Sequence, residues 1–187
     1  MADISNITVS AEGVDTVCKI KDKAARNDIA INRTTLGTQC KNLFKNTAVS
    51  QTAYGVTFTV NADKSITVNG TATQNIFLIM GSFYFEAGKQ YILTGCPSGG
   101  SGTKYFLAYN GMGGHQYDTG SGTIFSVNES VTKAMLLVIV SGQTVSNLTF
   151  YPMLRYADIT DDTYEPYKPS LQEQITALEE RIAALGG

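Results

Sequence analysis

The sequence has no tryptophan, one histidine and three cysteines among 187 residues, and only 16% of it is charged. A single histidine, His115, excludes a multi-histidine metal site and leaves one candidate base for a catalytic triad. Cys18, Cys40 and Cys96 are odd in number and form no Cys-x-x-Cys pair. Neither a disulfide framework nor a zinc site is expected from them, and reduced, mostly buried thiols are. No apolar run approaches the roughly 18 residues that a membrane-spanning helix needs. Met1-Ala2-Asp3-Ile4-Ser5 has none of the basic and apolar regions of a secretory signal. A net charge of −2 gives no electrostatic footprint for nucleic acid. Hydrophobic residues at 43% argue against disorder, whose signature is low hydrophobicity with high charge.

Threonine (22), glycine (18) and tyrosine (10) are abundant instead, as suits strands joined by tight turns. Charge divides the chain into three: eleven charged residues lie in 1–41, nine in the next 110 residues, and ten in 152–187. This pattern predicts an N-terminal attachment or oligomerisation segment (1–41), a β-domain (42–157), and an acidic strap with a C-terminal helix (158–187). In the first segment Ile4, Ile7 and Val9 fit one short strand and 14–20 another, followed by a helix-permissive stretch at 21–29.

Tyr54-Gly55-Val56-Thr57-Phe58-Thr59-Val60 alternates apolar and hydroxyl residues. With the turn cluster Asn61-Ala62-Asp63-Lys64-Ser65 and Ile66-Thr67-Val68, it predicts a hairpin. Further strands are expected at 76–80, 83–85, 91–94, 105–109, 124–127, 133–140 and 145–151. The run Ala134-Met135-Leu136-Leu137-Val138-Ile139-Val140 is apolar throughout; its length and the following Ser141-Gly142 favour a central strand over a buried helix. Eight or nine short strands at this spacing predict a mainly β fold, an antiparallel β-sandwich of jelly-roll type.

Beyond Pro169 the period changes. Leu171, Ile175, Leu178, Ile182 and Leu185 step by four and three, the spacing of a coiled-coil seam, with Ser170 and Glu173 as a capping box. At 1.5 Å per residue the seam is roughly 22 Å long, too short to hold an oligomer unaided. The alternative is an amphipathic helix folded back on its own domain. Isoleucine at one seam position and leucine at the other favours two chains by the general rule.

Candidate chemistry is sparse. Asp118-Thr119-Gly120-Ser121-Gly122 matches the start of an aspartic-protease loop, but it occurs once and follows His115-Gln116-Tyr117 rather than an apolar strand. No Gly-x-Ser-x-Gly elbow accompanies His115. Asp63, Glu86 and Glu129 fall in turns, which disfavours the paired carboxylates of a glycosidase. No enzyme, metal or cofactor is expected. The glycine-rich loops Ser98-Gly99-Gly100-Ser101-Gly102 and Gly111-Met112-Gly113-Gly114 lack the lysine of a phosphate loop. Tyr105, Tyr109, His115, Tyr117 and Asp118 lie between and beside them. This polar-aromatic mixture suits carbohydrate, so these five are the candidate ligand-binding residues.

Lys41-Asn42-Leu43-Phe44-Lys45-Asn46-Thr47, the hairpin ending Val68-Asn69-Gly70-Thr71, Leu148-Thr149-Phe150-Tyr151-Pro152-Met153-Leu154-Arg155, and Thr160-Asp161-Asp162-Thr163-Tyr164-Glu165-Pro166-Tyr167 together resemble tail, baseplate and fibre proteins of phages of Gram-positive, often gut, bacteria. The resemblance covers roughly residues 41–170. It implies a jelly-roll module similar to carbohydrate-binding modules, placed in a virion. There a homo-oligomer, a trimer in preference to a dimer, binds bacterial surface polysaccharide beside other tail or baseplate proteins. The competing reading is a structural spacer that binds no ligand.

Overall fold

The computed structural model describes residues 6–11, 14–19, 40–111 and 117–185. The chain divides into two compact units, residues 1–39 with 175–187 and residues 40–174. In the first, β1 (Asn6–Ala11) and β2 (Val14–Lys19) form an antiparallel hairpin, in a register running from Asn6 opposite Lys19 to Ala11 opposite Val14. The helix-permissive stretch 21–29 lies outside the described residues.

The second unit is built from β3 (Gln51–Ala53), β4 (Val56–Val60), β5 (Ile66–Thr71), β6 (Ile76–Phe85), β7 (Gln90–Thr94), β8 (Tyr105–Tyr109), β9 (Thr123–Ser126), β10 (Val131–Ile139), β11 (Thr144–Phe150) and β12 (Met153–Tyr156). They form three sheets, ordered β11-β5-β4-β3, β6-β10-β8 and β12-β7-β9, and every pairing in them is antiparallel. The mainly β expectation holds.

The hairpin read from the alternation is β4–β5, with Val60 opposite Ile66 and Val56 opposite Gly70. Val56 and Phe58 are fully buried while Thr57 and Thr59 are exposed, as a period of two demands. Across this sheet the outward threonines pair hydroxyl to hydroxyl: Thr52 with Thr57 (3.0 Å), Thr67 with Thr149 (3.1 Å) and Thr71 with Thr144 (2.9 Å).

Three boundaries differ from expectation. Tyr54 and Gly55 are not strand but the β3–β4 turn, with φ of 47° and 82°, the pair of positive values that a two-residue hairpin turn requires. The strands expected at 76–80 and 83–85 are one, β6, bulged where Met135 faces Gly81 and Leu136 faces Ile79, leaving Met80 without a partner on β10. Gly81, at φ 136°, carries the bulge, and the Met80 carbonyl accepts from Thr47 N–H (2.8 Å) instead. β12 is not among the expected strands; it pairs with β7, Met153 opposite Thr94 through Tyr156 opposite Tyr91.

All three sheets contribute to one buried cluster that includes Phe44, Phe58, Ile66, Met80, Phe85, Tyr91, Leu107, Met135, Leu137, Phe150 and Leu154. Phe85 sits among Phe83, Tyr91, Tyr109 and Phe125, with ring centroids 4.9 to 5.6 Å away. Edge-on and tilted contacts of this kind add about 0.5–1.5 kcal/mol per pair beyond area burial.

The strap expected as a separate segment belongs to the same compact unit. Buried Asn42 joins its parts: Nδ2 donates to the Pro152 and Glu165 carbonyls (3.3 and 2.9 Å), and Oδ1 accepts from Phe44 and Leu154 N–H (3.0 and 3.2 Å). Lys41 Nζ donates to Asp161 and Thr163, each at 2.6 Å, and Tyr164 donates to the Asp63 carbonyl at 2.7 Å.

A 15-residue helix, α1 (Leu171–Leu185), follows. Its capping box forms as read: Glu173 Oε2 accepts from Ser170 N–H (2.8 Å), and Ser170 Oγ accepts from Glu173 N–H (3.2 Å). Leu171 and Ile175 are exposed, while the side chains of Leu178, Ile182 and Leu185 lie outside those described.

Candidate functional site

The four described candidate ligand residues, Tyr105, Tyr109, Tyr117 and Asp118, do not converge. Alternation along β8 separates them first. Tyr105, Leu107 and Tyr109 face inward and Phe106 and Ala108 outward. Tyr105 packs edge-on against Phe150 (centroids 5.8 Å) and donates its hydroxyl to the Ser98 carbonyl (2.9 Å). Burial, with a smaller contribution from Cys96, raises the pKa of its hydroxyl. Tyr109 lies between Phe85 and Phe125, at 5.2 and 5.1 Å. Tyr117 stacks on outward-facing Phe106 at 4.3 Å, on the opposite side of the sheet from Tyr105 and Tyr109. His115 lies outside the described residues.

Asp118 is corrected from ligand residue to loop clasp. It has no exposed surface. Its Oδ2 accepts from Cys96 N–H (2.7 Å), and its Oδ1 accepts from Gly120 and Gly122 N–H (2.9 and 2.8 Å). Its backbone exchanges both hydrogen bonds with Leu107 (2.9 and 3.0 Å), fixing the loop to β8. The carboxylate thus closes a turn, as aspartate does in loops generally. It also helps to hold the neighbouring Cys96 thiol protonated, burial raising that thiol's pKa first and the Asp118 charge second.

Two open depressions mark the surface. One, of about 460 Å³, is lined by Tyr109 and Gly111 at the end of β8, by Ser126, Val127, Asn128 and Glu129 from the β9–β10 connection, and by Val131 and Lys133 of β10. Pairing puts these together: β8 and β10 meet with Met135 opposite Tyr109, so the β9–β10 turn arrives beside the end of β8. That turn is held to the β6–β7 turn by Gly88 N–H to the Val127 carbonyl (3.2 Å) and Ala87 N–H to Ser130 Oγ (3.0 Å). The other depression, of about 500 Å³, is lined by Gly88, Lys89, Gln90, Tyr156, Ala157 and Asp158. Neither is lined by Arg155, a buried guanidinium on β12 whose Nε and Nη1 have no hydrogen-bond partner among the described residues.

Of the four described candidates, only Tyr109 lines either depression. Asn128, Glu129 and Lys133 were missed: Glu129 reads as an ordinary turn residue, and only the strand pairing shows what the turn lies beside. Among the described residues no three His, Cys, Asp or Glu side chains group as metal ligands would. No helix among them is long and apolar enough to cross a membrane.

Comparison with protein-family models and with curated proteins gives no match. Among solved structures, a chain in the crystal structure of accessory secretory protein 1, 2 and 3 of Streptococcus pneumoniae is similar at 15% identity and a TM-score of 0.41, over 65% of this chain and 99% of that one. A likeness of this degree assigns neither fold nor role. It nevertheless corrects the family resemblance: the structure found belongs to a secretory accessory protein and not to a phage tail, baseplate or fibre protein.

Proposed function

We propose that residues 40–174 are a non-catalytic binding module that takes a glycan in the depression beside Tyr109. The observation that carries this reading is the lining of that depression, a half-buried tyrosine with Ser126, Asn128, Glu129 and Lys133 around it. An aromatic face suits the apolar side of a sugar ring, and hydroxyl, amide and charged groups suit its hydroxyls. A non-catalytic role is favoured by the employment of four carboxylates elsewhere, which leaves Glu129 as the one carboxylate among the residues lining the depression. Asp63 accepts from Ser65 N–H and Oγ (3.0 and 2.7 Å), Asp118 holds its loop, Asp161 takes Lys41 and Thr163, and Glu173 caps α1.

This reading treats the three sheets as two layers of a jelly-roll sandwich. Two features favour it. β11 and β12 are separated only by Tyr151-Pro152, and Tyr151 N–H bonds the Gly95 carbonyl (2.8 Å), so the sheet of β11 runs on toward that of β12 and β7. The pairs β5–β11 and β6–β10 nest one inside the other, as strands of a rolled hairpin do. The reading also keeps α1 as a short association seam, with Leu171 and Ile175 exposed. Once the family resemblance is set aside, the isoleucine and leucine positions favour two chains over three.

The test is titration of the protein with a panel of purified bacterial and wall polysaccharides by calorimetry. Saturable binding, weakened at least about tenfold by Asn128→Ala or Lys133→Ala at unchanged thermal unfolding, is expected. A broad panel without binding, or variants that bind as the wild type does, would hand the chain to the second reading. That reading, a structural spacer, is favoured by the apolar outer face of the β6-β10-β8 sheet.

A further inference from the structure

Alternation assigns the outward positions of the β6-β10-β8 sheet. On β6 they are Phe77, Ile79 and, past the bulge, Ser82 and Tyr84; register places Val138 opposite Phe77, Leu136 opposite Ile79, Ala134 opposite Ser82 and Thr132 opposite Tyr84. β8 adds Phe106 opposite Val138 and Ala108 opposite Leu136. None of these ten positions carries a charge. Phe77, Ile79 and Tyr84 are 57%, 61% and 58% exposed, Leu136 and Phe106 are half-buried, and Val138 and Ala108 are buried, so the open part of the face lies along β6. The β11-β5-β4-β3 sheet of the same unit solves the same problem with threonine at Thr52, Thr57, Thr67, Thr71, Thr144 and Thr149. The chain therefore has a working pattern for a wet sheet face and departs from it on this one.

We infer that this face packs against the same face of a second copy of the chain. Charge points to a copy rather than a different partner. Around a twofold axis the residues nearest the axis meet their own copies, so a charge there would face its like, and ten uncharged positions avoid that repulsion. Area agrees. Taking roughly 200 Å² for a large side chain, Phe77, Ile79 and Tyr84 alone expose about 350 Å². That is the apolar part of the roughly 800 Å² per partner that a stable interface buries, with Ser82 and Ala134 lying between Ile79 and Tyr84. Two such sheets stack about 10 Å apart with strands crossing at about 30°. The inference does not depend on the glycan reading.

Sedimentation velocity over a wide concentration range tests it, on the full chain and four variants. The wild type and Thr57→Lys, on the threonine face, are expected to sediment as dimers. Ile79→Lys, at an exposed position, is expected to unfold at the wild-type temperature and to dimerise at least about tenfold more weakly. Phe77→Ser should repeat the effect without an added charge. A monomeric wild type, which would leave the face to another protein, overturns the inference. So does an Ile79→Lys that dimerises like the wild type, or association lost only in Ile175→Asp, which would place the contact on α1. Glycan titration of Ile79→Lys keeps the two readings apart, since per-site affinity should not change.

Discussion

Replacing Asp118 by alanine removes the acceptor of three backbone N–H groups at once, those of Cys96, Gly120 and Gly122, now at 2.7, 2.9 and 2.8 Å. A buried donor left without a partner costs about 1–3 kcal/mol, at the upper end when the lost acceptor was charged. The Cys96 N–H is buried and should bear that cost in full; Gly120 and Gly122 are nearer the surface, where water recovers part of theirs. The total comes to about 3–4 kcal/mol, out of the roughly 5–15 kcal/mol that holds such a domain together. For a unit of this size it corresponds to a fall in melting temperature of about 10–15 °C. Asp118→Asn keeps one carbonyl oxygen and turns an amide N–H toward donors, so it should fall between, at about 2 kcal/mol. Urea unfolding followed by circular dichroism measures all three proteins. An alanine variant within about 1 kcal/mol of the wild type, with glycan binding lost, would refute the clasp and restore Asp118 as a ligand residue.

Two further outcomes follow from other contacts. Lys41 and Thr163 hold the Asp161 carboxyl well below the usual carboxylate range, and Tyr167 and then Ser170 lower that of Glu173. Both folded values lie below the unfolded ones, so this stability is complete above about pH 4.5 and is lost as pH falls through the folded values. Protection of the strap amides against hydrogen exchange, taken relative to the intrinsic rate at each pH, should therefore fall on acidification from about pH 5 to 2, and less so in Lys41→Met; an identical loss of protection in the two proteins would contradict the ion pair. Gly95→Ala and Gly88→Ala share the strain of a positive φ, 109° and 75°, but differ in space. A Cβ on Gly95 would lie 1.8 Å from the Tyr151 carbonyl oxygen, whereas one on Gly88 meets nothing within 4 Å. Gly88→Ala should cost about 1 kcal/mol and Gly95→Ala well over 3 kcal/mol by thermal unfolding; equal losses would mean that β7 and the Tyr151 corner lie farther apart than described.

Where local pattern and tertiary demand coincide, the sequence is legible. Val56, Phe58, Ile66 and Val68 had to be inside because threonine separates them, and β8 and the α1 cap were equally plain. It misleads where one residue type serves two ends. Tyrosine favours strands, so Tyr54 reads as strand although its positive φ makes it a turn residue. Gly81 reads as a strand break although it is a bulge inside one, and β12, four residues long with Arg155 in its middle, does not look apolar enough to pair. The lining of the proposed site was hardest to read, because a depression joins positions distant in sequence. Tyr109 was visible as a tyrosine next to a glycine loop. Asn128, Glu129 and Lys133 become its neighbours only through the pairing of β10 with β8. Asp118 shows the reverse error: a carboxylate in a glycine loop suggests chemistry until the donors that claim it are located.

The apolar run of β10 is where sequence and fold press hardest on function. A strand with one wet face alternates, as β4 does with Thr57 and Thr59 outward. From Ala134 to Ile139 no such alternation exists, although Met135, Leu137 and Ile139 alone satisfy the core on the inner side. Apolar residues on both sides of a strand are the pattern of a sheet covered on both faces. Within the described residues the inner cover is the buried cluster, while on the outer side Phe77 and Ile79, next to β10, keep more than half of their surface open. Leaving such a patch in water has a standing cost in solubility, which natural sheets avoid with charge or hydroxyls on the outward positions. The chain used hydroxyls along one sheet and, on the other, only at Ser82, Tyr84 and Thr132, leaving Phe77 and Ile79 without them. The pattern of β10 thus asks for a second layer, and an uncharged face that can meet itself is able to supply one.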